Sequence, residues 1–178
     1  MGYALGRLKF RLRSALLVGL IATRAYPPIA VLIPLSAVFV ATGLQGSLVG
    51  LAVADLTLTL PLVAWCMSGV FASLPSTTER AARVDGLTRW QTLWRVMVPM
   101  AAPGVASCAV IAFLTTWNEF TFSMILAAGS PAQTFPPTVA GAYATEIATL
   151  SVLGLAPPAI LALLFQRHVR HLNLVTPL

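Results

Sequence analysis

Ser47-Leu-Val-Gly-Leu-Ala-Val-Ala-Asp55-Leu-Thr-Leu-Thr-Leu-Pro61-Leu-Val-Ala-Trp65-Cys66-Met-Ser-Gly-Val-Phe71 decides the fold. A helix needs about 20 mainly apolar residues to cross a hydrocarbon core. This run is long enough and carries one charge, Asp55. Pro61 sits inside it. A water-soluble helix would break there, whereas a spanning helix tolerates proline when neighbours satisfy the freed carbonyl. Three further runs of the same kind lie outward from it: Ser14–Val40, Pro99–Ala128 and Ile147–Phe165. They too contain proline, at Pro27, Pro28 and Pro34, at Pro99 and Pro103, and at Pro157 and Pro158. The expected fold is all-α: a polytopic transmembrane helical bundle of about four spans, kinked and packed around a pathway.

Composition agrees. Of 178 residues, 58% are hydrophobic and 9% charged, where a soluble domain carries about 25% charged residues. That leaves too little polar surface to keep a globule in water. The net charge of +6 does not indicate nucleic acid, whose grooves want a basic stripe mixed with exposed aromatics. Here the basic residues cluster between apolar runs. Cys66 and Cys108 lie inside such runs without a C-x-x-C pattern and read as small hydrophobes. No His, Cys or carboxylate cluster has metal-ligand spacing, and no cofactor motif or nucleophile–base pair is visible. The phosphate-binding pattern G-x-x-x-x-G-K-[ST] is absent, and Lys9 is the only lysine. The chain is therefore not expected to be an enzyme.

Basic residues orient the spans. Arg7, Lys9, Arg11 and Arg13 precede the first, Arg80, Arg83, Arg89 and Arg95 separate the second from the third, and Arg167 and Arg170 with His168 and His171 follow the fourth. The loops around Thr42–Gly46 and Gly129–Glu146 contain no Lys or Arg. This alternation places both termini and the middle loop in the cytoplasm. The N-terminus also resembles the start of a cleaved signal peptide. Arg24, Tyr26, Pro27 and Pro28 fall where a cleavage site would be, and the apolar run resumes, so that reading is set aside.

The loop from Pro75 to Pro99 is long enough to form structure of its own. Ser76-Thr-Thr-Glu79 matches a capping box, which predicts a helix starting at Ser76. Asp85-Gly86 predicts a break. Leu87, Trp90, Leu93, Trp94 and Met97 then recur at helical spacing, with Arg89 and Arg95 largely off that stripe. On residues alone, an amphipathic helix lying in the membrane interface fits this second half as well as a docking element does.

The spacing of this loop resembles a known motif. Arg80-Ala-Ala82, three residues, Gly86, nine residues, then Val96-Met-Val-Pro99 is similar to the EAA loop of ABC importer permeases. The pattern there is Glu-Ala-Ala, three residues, Gly, nine residues, Ile-x-Leu-Pro. Tyr26-Pro-Pro28, Ile33-Pro-Leu35, Gly43-Leu44 and Trp117-Asn-Glu-Phe120 resemble carbohydrate importer permeases of the maltose type, as does Gly2–Phe10. One position departs: Arg80 stands where the triplet has glutamate, with Glu79 before it.

The resemblance implies a permease subunit of a sugar importer in the bacterial cytoplasmic (inner) membrane, one transmembrane domain over residues 1–178 with the coupling loop at 75–99. The implied coupling residues are Glu79, Arg80, Ala81, Ala82, Asp85, Gly86 and Pro99, docking on an ABC ATPase. The implied partners are ATPase subunits, a second homologous permease, an extracytoplasmic solute-binding protein delivering sugar near Gly129–Glu146, and membrane lipid. No cofactor and no metal is implied. Two family helices have no counterpart before Gly2, so a fragment, a misplaced start or a decayed gene is also an expectation.

Charged and polar residues inside the spans are the candidates for a pathway. A charge at a span's centre costs about 2.5–3.5 kcal/mol and usually faces a cavity or partner. Asp55, Arg24 and Glu119 fit that description, with Trp117 and Asn118 beside Glu119. The same residues allow two other readings: helix packing, or ion relay in a stand-alone secondary transporter. Asp55 and Arg24 are expected to pair.

Overall fold

The computed structural model describes residues 1–8 and 10–169, with side chains to residue 165. Lys9, Arg170 and His171 of the basic clusters lie outside the described residues, as do the side chains of Arg167 and His168. The described residues form helices and turns: α1 (Gly2–Arg7), α2 (Arg13–Ala22), α3 (Pro28–Thr42), α4 (Leu48–Ser73), α5 (Ser76–Val84), α6 (Arg89–Thr92), α7 (Val98–Trp117), α8 (Thr121–Leu126), α9 (Phe135–Ala140) and α10 (Ala144–Val169). Three helical lengths are long and apolar enough to cross a membrane, or four if α2 and α3 form one broken span. The helices that span are apolar all round, as a lipid-immersed helix must be. Large side chains such as Ile33, Val40, Leu56, Trp65 and Leu163 stay exposed, so the chain leaves much of its apolar surface for lipid or protein to cover.

Two expected spans are redrawn. Ser14–Val40 is not one helix: α2 ends in a 3-10 turn at Thr23–Ala25, and α3 begins at Pro28 after an extended Pro27. Successive prolines explain this, since each lacks an N–H and pushes the residue before it out of the α region. Pro99 likewise does not begin the third span. One apolar length runs from Arg89 to Trp117, so the second half of the polar loop is the start of a span and not a separate helix. Its passage through Leu93–Met97 is a π-helical turn in which the Val98 N–H reaches the Leu93 carbonyl. Such a turn sits naturally just ahead of Pro99, which has no N–H to offer the preceding turn.

The chain divides into two compact units. The first, residues 1–25 and 60–112, has a core of Phe71, Met97 and Ala101, with Tyr3, Met67, Leu74 and Leu93 packed around it. In it α1 lies directly on α4: a Cβ at Gly6 would strike the Ser68 carbonyl oxygen and Phe71, so this crossing needs glycine. The second unit, residues 26–59 and 113–178, centres on Leu32, Phe39, Leu51, Phe122 and Leu126.

Candidate functional site

Helix α5 begins at Ser76, as the sequence predicts, but without the expected capping box. Pro75 is the N-cap and no side chain caps the helix. Glu79 is engaged elsewhere. It accepts a hydrogen bond from the Tyr3 hydroxyl at 2.7 Å and lies 3.8 Å from Arg7 Nε, while Arg7 Nη2 donates to the Leu74 carbonyl. Tyr3 also meets Phe71 edge-on, with centroids 5.5 Å apart. Burial and the Glu79 carboxylate together push the Tyr3 phenol up to about 12. A capping box does exist in the loop, one helix later: Thr88 Oγ1 accepts from Gln91 N–H, and Gln91 Oε1 accepts from Thr88 N–H.

The break at Asp85-Gly86 forms as expected. Gly86 has φ +85°, a left-handed conformation that L side chains resist. Its N–H bonds the Arg83 carbonyl, and the Leu87 N–H bonds the Ala82 carbonyl. These two bonds are the reciprocal pair that closes a helix C-terminus and reverses the chain.

Between these fixed ends, α5 has two faces. Ala82 is 6% exposed and packs within its unit. Thr77, Arg80, Ala81 and Val84, at i, i+3, i+4 and i+7, form one exposed stripe, with Val84 87% exposed. Arg80 donates to Ser76 Oγ at 3.0 Å along that stripe. Asp85 and Pro99 are exposed too. Of the two alanines read as contact residues, Ala81 is open and Ala82 is occupied by its own chain. The apolar stripe after Gly86 also divides: Leu93 and Met97 join the core, while Trp90 and Trp94 point out, edge to face at 5.7 Å.

The in-span candidates fall into separate settings. Glu119 is buried and accepts from the backbone N–H groups of Phe122 at 2.8 and 3.0 Å and of Ser123 at 3.1 Å. It thereby closes the open start of α8, where the helix has just broken after Trp117. Asn118 is exposed and donates to the Leu114 carbonyl at 2.7 Å. Trp117 stacks with Phe113 at 5.4 Å and with Phe135 at 5.9 Å, and its Nε1 donates to the Gly154 carbonyl. Both rings and the indole N–H are thus engaged within the chain. Asp55 is buried in α4. Its Oδ1 has no hydrogen-bond partner among the described residues. Arg24 is exposed on the 3-10 turn of the first unit.

The polar loop thus forms a short helix that is closed at its C-terminal end by Gly86 and exposed along one face. Residues 1–173 match the family described as binding-protein-dependent transport system inner membrane component. The chain belongs to that family. It is 33% identical over 173 residues to the sulfoquinovosyl glycerol transport system permease protein SmoH of Agrobacterium fabrum, covering 94% of this chain and 61% of that one. It is 30% identical over 175 residues to the trehalose transport system permease protein SugB of Mycobacterium tuberculosis, covering 94% and 64%. With the trehalose/maltose transport system permease protein MalG of Thermococcus litoralis it shares 28% over 174 residues, covering 94% and 63%. The chain thus spans about three fifths of the length of these relatives. Family membership and the apolar helices make it a multi-pass membrane protein of a transport system.

Proposed function

We propose that the chain is a permease subunit of an ATP-driven carbohydrate importer, supplying part of a translocation pathway and taking its power stroke through α5. The observation that carries this reading is α5 itself. A loop spaced as in ABC importer permeases forms a short helix whose Thr77–Val84 stripe is left exposed by the other described residues. A separate ATPase binds that stripe, with Arg80 meeting an acid where the family's glutamate would meet a base. Both termini and residues 75–99 face the cytoplasm, as the clustered arginines favour. A second homologous permease completes the pathway, and a solute-binding protein delivers sugar at the opposite face near Gly129–Glu146. Sugar is the substrate class favoured by the relatives, whose names specify sulfoquinovosyl glycerol, trehalose and maltose.

The in-span polar residues are proposed as pathway elements with unequal weight. Asp55, with a buried oxygen still open to a donor, is the one best placed to accept a hydroxyl. Asn118 is exposed, and its amide keeps one N–H beyond the one given to the Leu114 carbonyl. Trp117 and Glu119 act by holding the break between α7 and α8, and Arg24 by charge near its turn. Cysteine scanning along α5 tests the docking reading. In the assembled transporter, a cysteine at Ala81 or Val84 should cross-link to the ATPase, and one at Ala82 should not. A working transporter that yields no cross-link at either exposed position sinks the proposal, as does uptake that continues undiminished without ATP hydrolysis.

A further inference from the structure

Beside α5 the first unit holds a cleft of about 490 Å³ that the coupling reading does not use. Its walls are basic. Arg7, Arg83 and Arg89 line it, and the one carboxylate present, Glu79, is already met by Tyr3 and Arg7. The Arg83 and Arg89 guanidinium groups make no hydrogen bond or ion pair with any described residue. The floor carries an unmet polar atom: Thr92 is 1% exposed, lines the cleft, and its hydroxyl has no partner among the described residues. A buried hydroxyl left unpaired costs about 1–3 kcal/mol, which an occupant with acceptor oxygens would recover. Trp90 lines the cleft and Trp94 packs edge-on against it, the two 69% and 55% exposed at the start of the length Arg89–Trp117.

We infer that this cleft binds the phosphate-bearing headgroup of an anionic phospholipid from the cytoplasmic leaflet. The inference rests on the cytoplasmic placement of residues 75–99 proposed above. Exposed tryptophans at a span's end sit at headgroup depth, and basic pockets at the cytoplasmic ends of spans bind anionic headgroups. Two guanidinium groups give a cationic site for one singly charged phosphodiester, and their forked N–H donors suit its oxygens. The Thr92 hydroxyl donates to a remaining phosphate oxygen. A bound headgroup would bridge Arg83 of α5 to Arg89 of the span, and so stiffen the joint through which a push on α5 reaches the membrane.

Native mass spectrometry of the purified full chain in detergent, titrated with dioleoylphosphatidylglycerol or dioleoylphosphatidylcholine, tests this. One phosphatidylglycerol should bind well ahead of phosphatidylcholine. Arg83→Gln with Arg89→Gln should weaken it roughly thirtyfold, from about fivefold per basic contact at a charged surface. Arg95→Gln, exposed but off the cleft, should leave it unchanged, and Thr92→Val should weaken it severalfold. Both cleft arginines are exposed, so the double variant should keep the parent's melting temperature. Equal retention of the two lipids, or retention indifferent to the double variant, overturns the inference. Displacement by millimolar inorganic phosphate overturns it in favour of a soluble anion. Loss of ATPase association in the double variant, with lipid binding intact, overturns it in favour of an acidic protein contact. Because lipid selectivity in detergent needs neither transport nor orientation, this site can fail while the permease reading stands.

Discussion

Glu79 and Glu119 are the same side chain in two solutions to one problem. Glu79, on α5, is held by residues more than seventy positions away: Tyr3 and Arg7 of α1. Glu119, at the break after α7, is held by the next turn of its own chain, the N–H groups of Phe122 and Ser123. The first is partly exposed and the second is buried. A carboxylate in a poorly solvated site depends on donors from the protein, because water cannot make up a shortfall. One near water can serve as a link between elements that are far apart in sequence. The difference teaches where each region is stiff: the break after α7 is fixed by its own backbone, whereas α5 is fixed by a clasp to α1.

The largest effect should come from opening the local solution. Glu119→Ala removes a buried, charge-assisted cap and strands two buried N–H groups, and should cost about 3 kcal/mol in a detergent unfolding measurement. Glu119→Gln keeps an acceptor and should cost about half that. If both variants unfold like the parent, Glu119 is not the cap that sets the α8 start.

The long-range clasp should break more gently. Glu79→Gln should cost about 1 kcal/mol, and a double-mutant cycle with Tyr3→Phe should recover most of it as coupling. It also has a pH signature. A phenol whose folded pKa is raised to about 12 from an ordinary value near 10 contributes stability that is complete below about pH 10. That contribution is lost as pH rises through 12. Ultraviolet titration at the phenolate band should show one late-titrating tyrosine that vanishes in Tyr3→Phe. In Glu79→Gln it should move down without reaching the ordinary value, since burial is the larger cause. A titration unchanged by Glu79→Gln would dissolve the clasp.

These two carboxylates also mark what the residues alone could reveal. Long apolar runs and the break at Gly86 were legible, because each depends on a local rule: helix length against bilayer thickness, and a left-handed turn. The start of α5 at Ser76 was expected from a capping box that does not form, since Pro75 is the N-cap there. The Thr88–Gln91 capping box was equally local and could have been found by the same rule that misassigned Glu79. The clasp was not legible, because nothing in a sequence brings Tyr3 beside Glu79 until α1 lies on α4. The buried side of Ala82 escaped for the same reason. The joining of the loop's second half to α7 was hidden by Pro99, read as a boundary when a π-helical turn carries the helix through it.

Gly86→Ala comes next in size. It forces a Cβ into a left-handed conformation and should cost about 1 kcal/mol, loosening α5 at the end opposite the clasp. Loss of ATPase cross-linking from Val84 without loss from Thr77 would show that the two ends of α5 are anchored independently.

The smallest effect on stability should be at Arg80. Its hydrogen bond runs to Ser76 on the exposed stripe, and an exposed pair of this kind is worth little, so Arg80→Ala should shift unfolding by no more than about 0.5 kcal/mol. That insensitivity is what makes it useful. A variant that folds like the parent but fails in uptake can fail only through what α5 touches outside the chain. If Arg80 meets an acid on the ATPase, Arg80→Glu should be worse than Arg80→Ala, and a compensating basic residue on the partner should restore it. If Arg80→Glu instead improves uptake, the family's acidic position still suits the partner and Arg80 is a loss that the stripe tolerates. Either outcome separates α5 as a docking surface from α5 as a strut, a distinction the clasp at Glu79 cannot make, because breaking the clasp disturbs both.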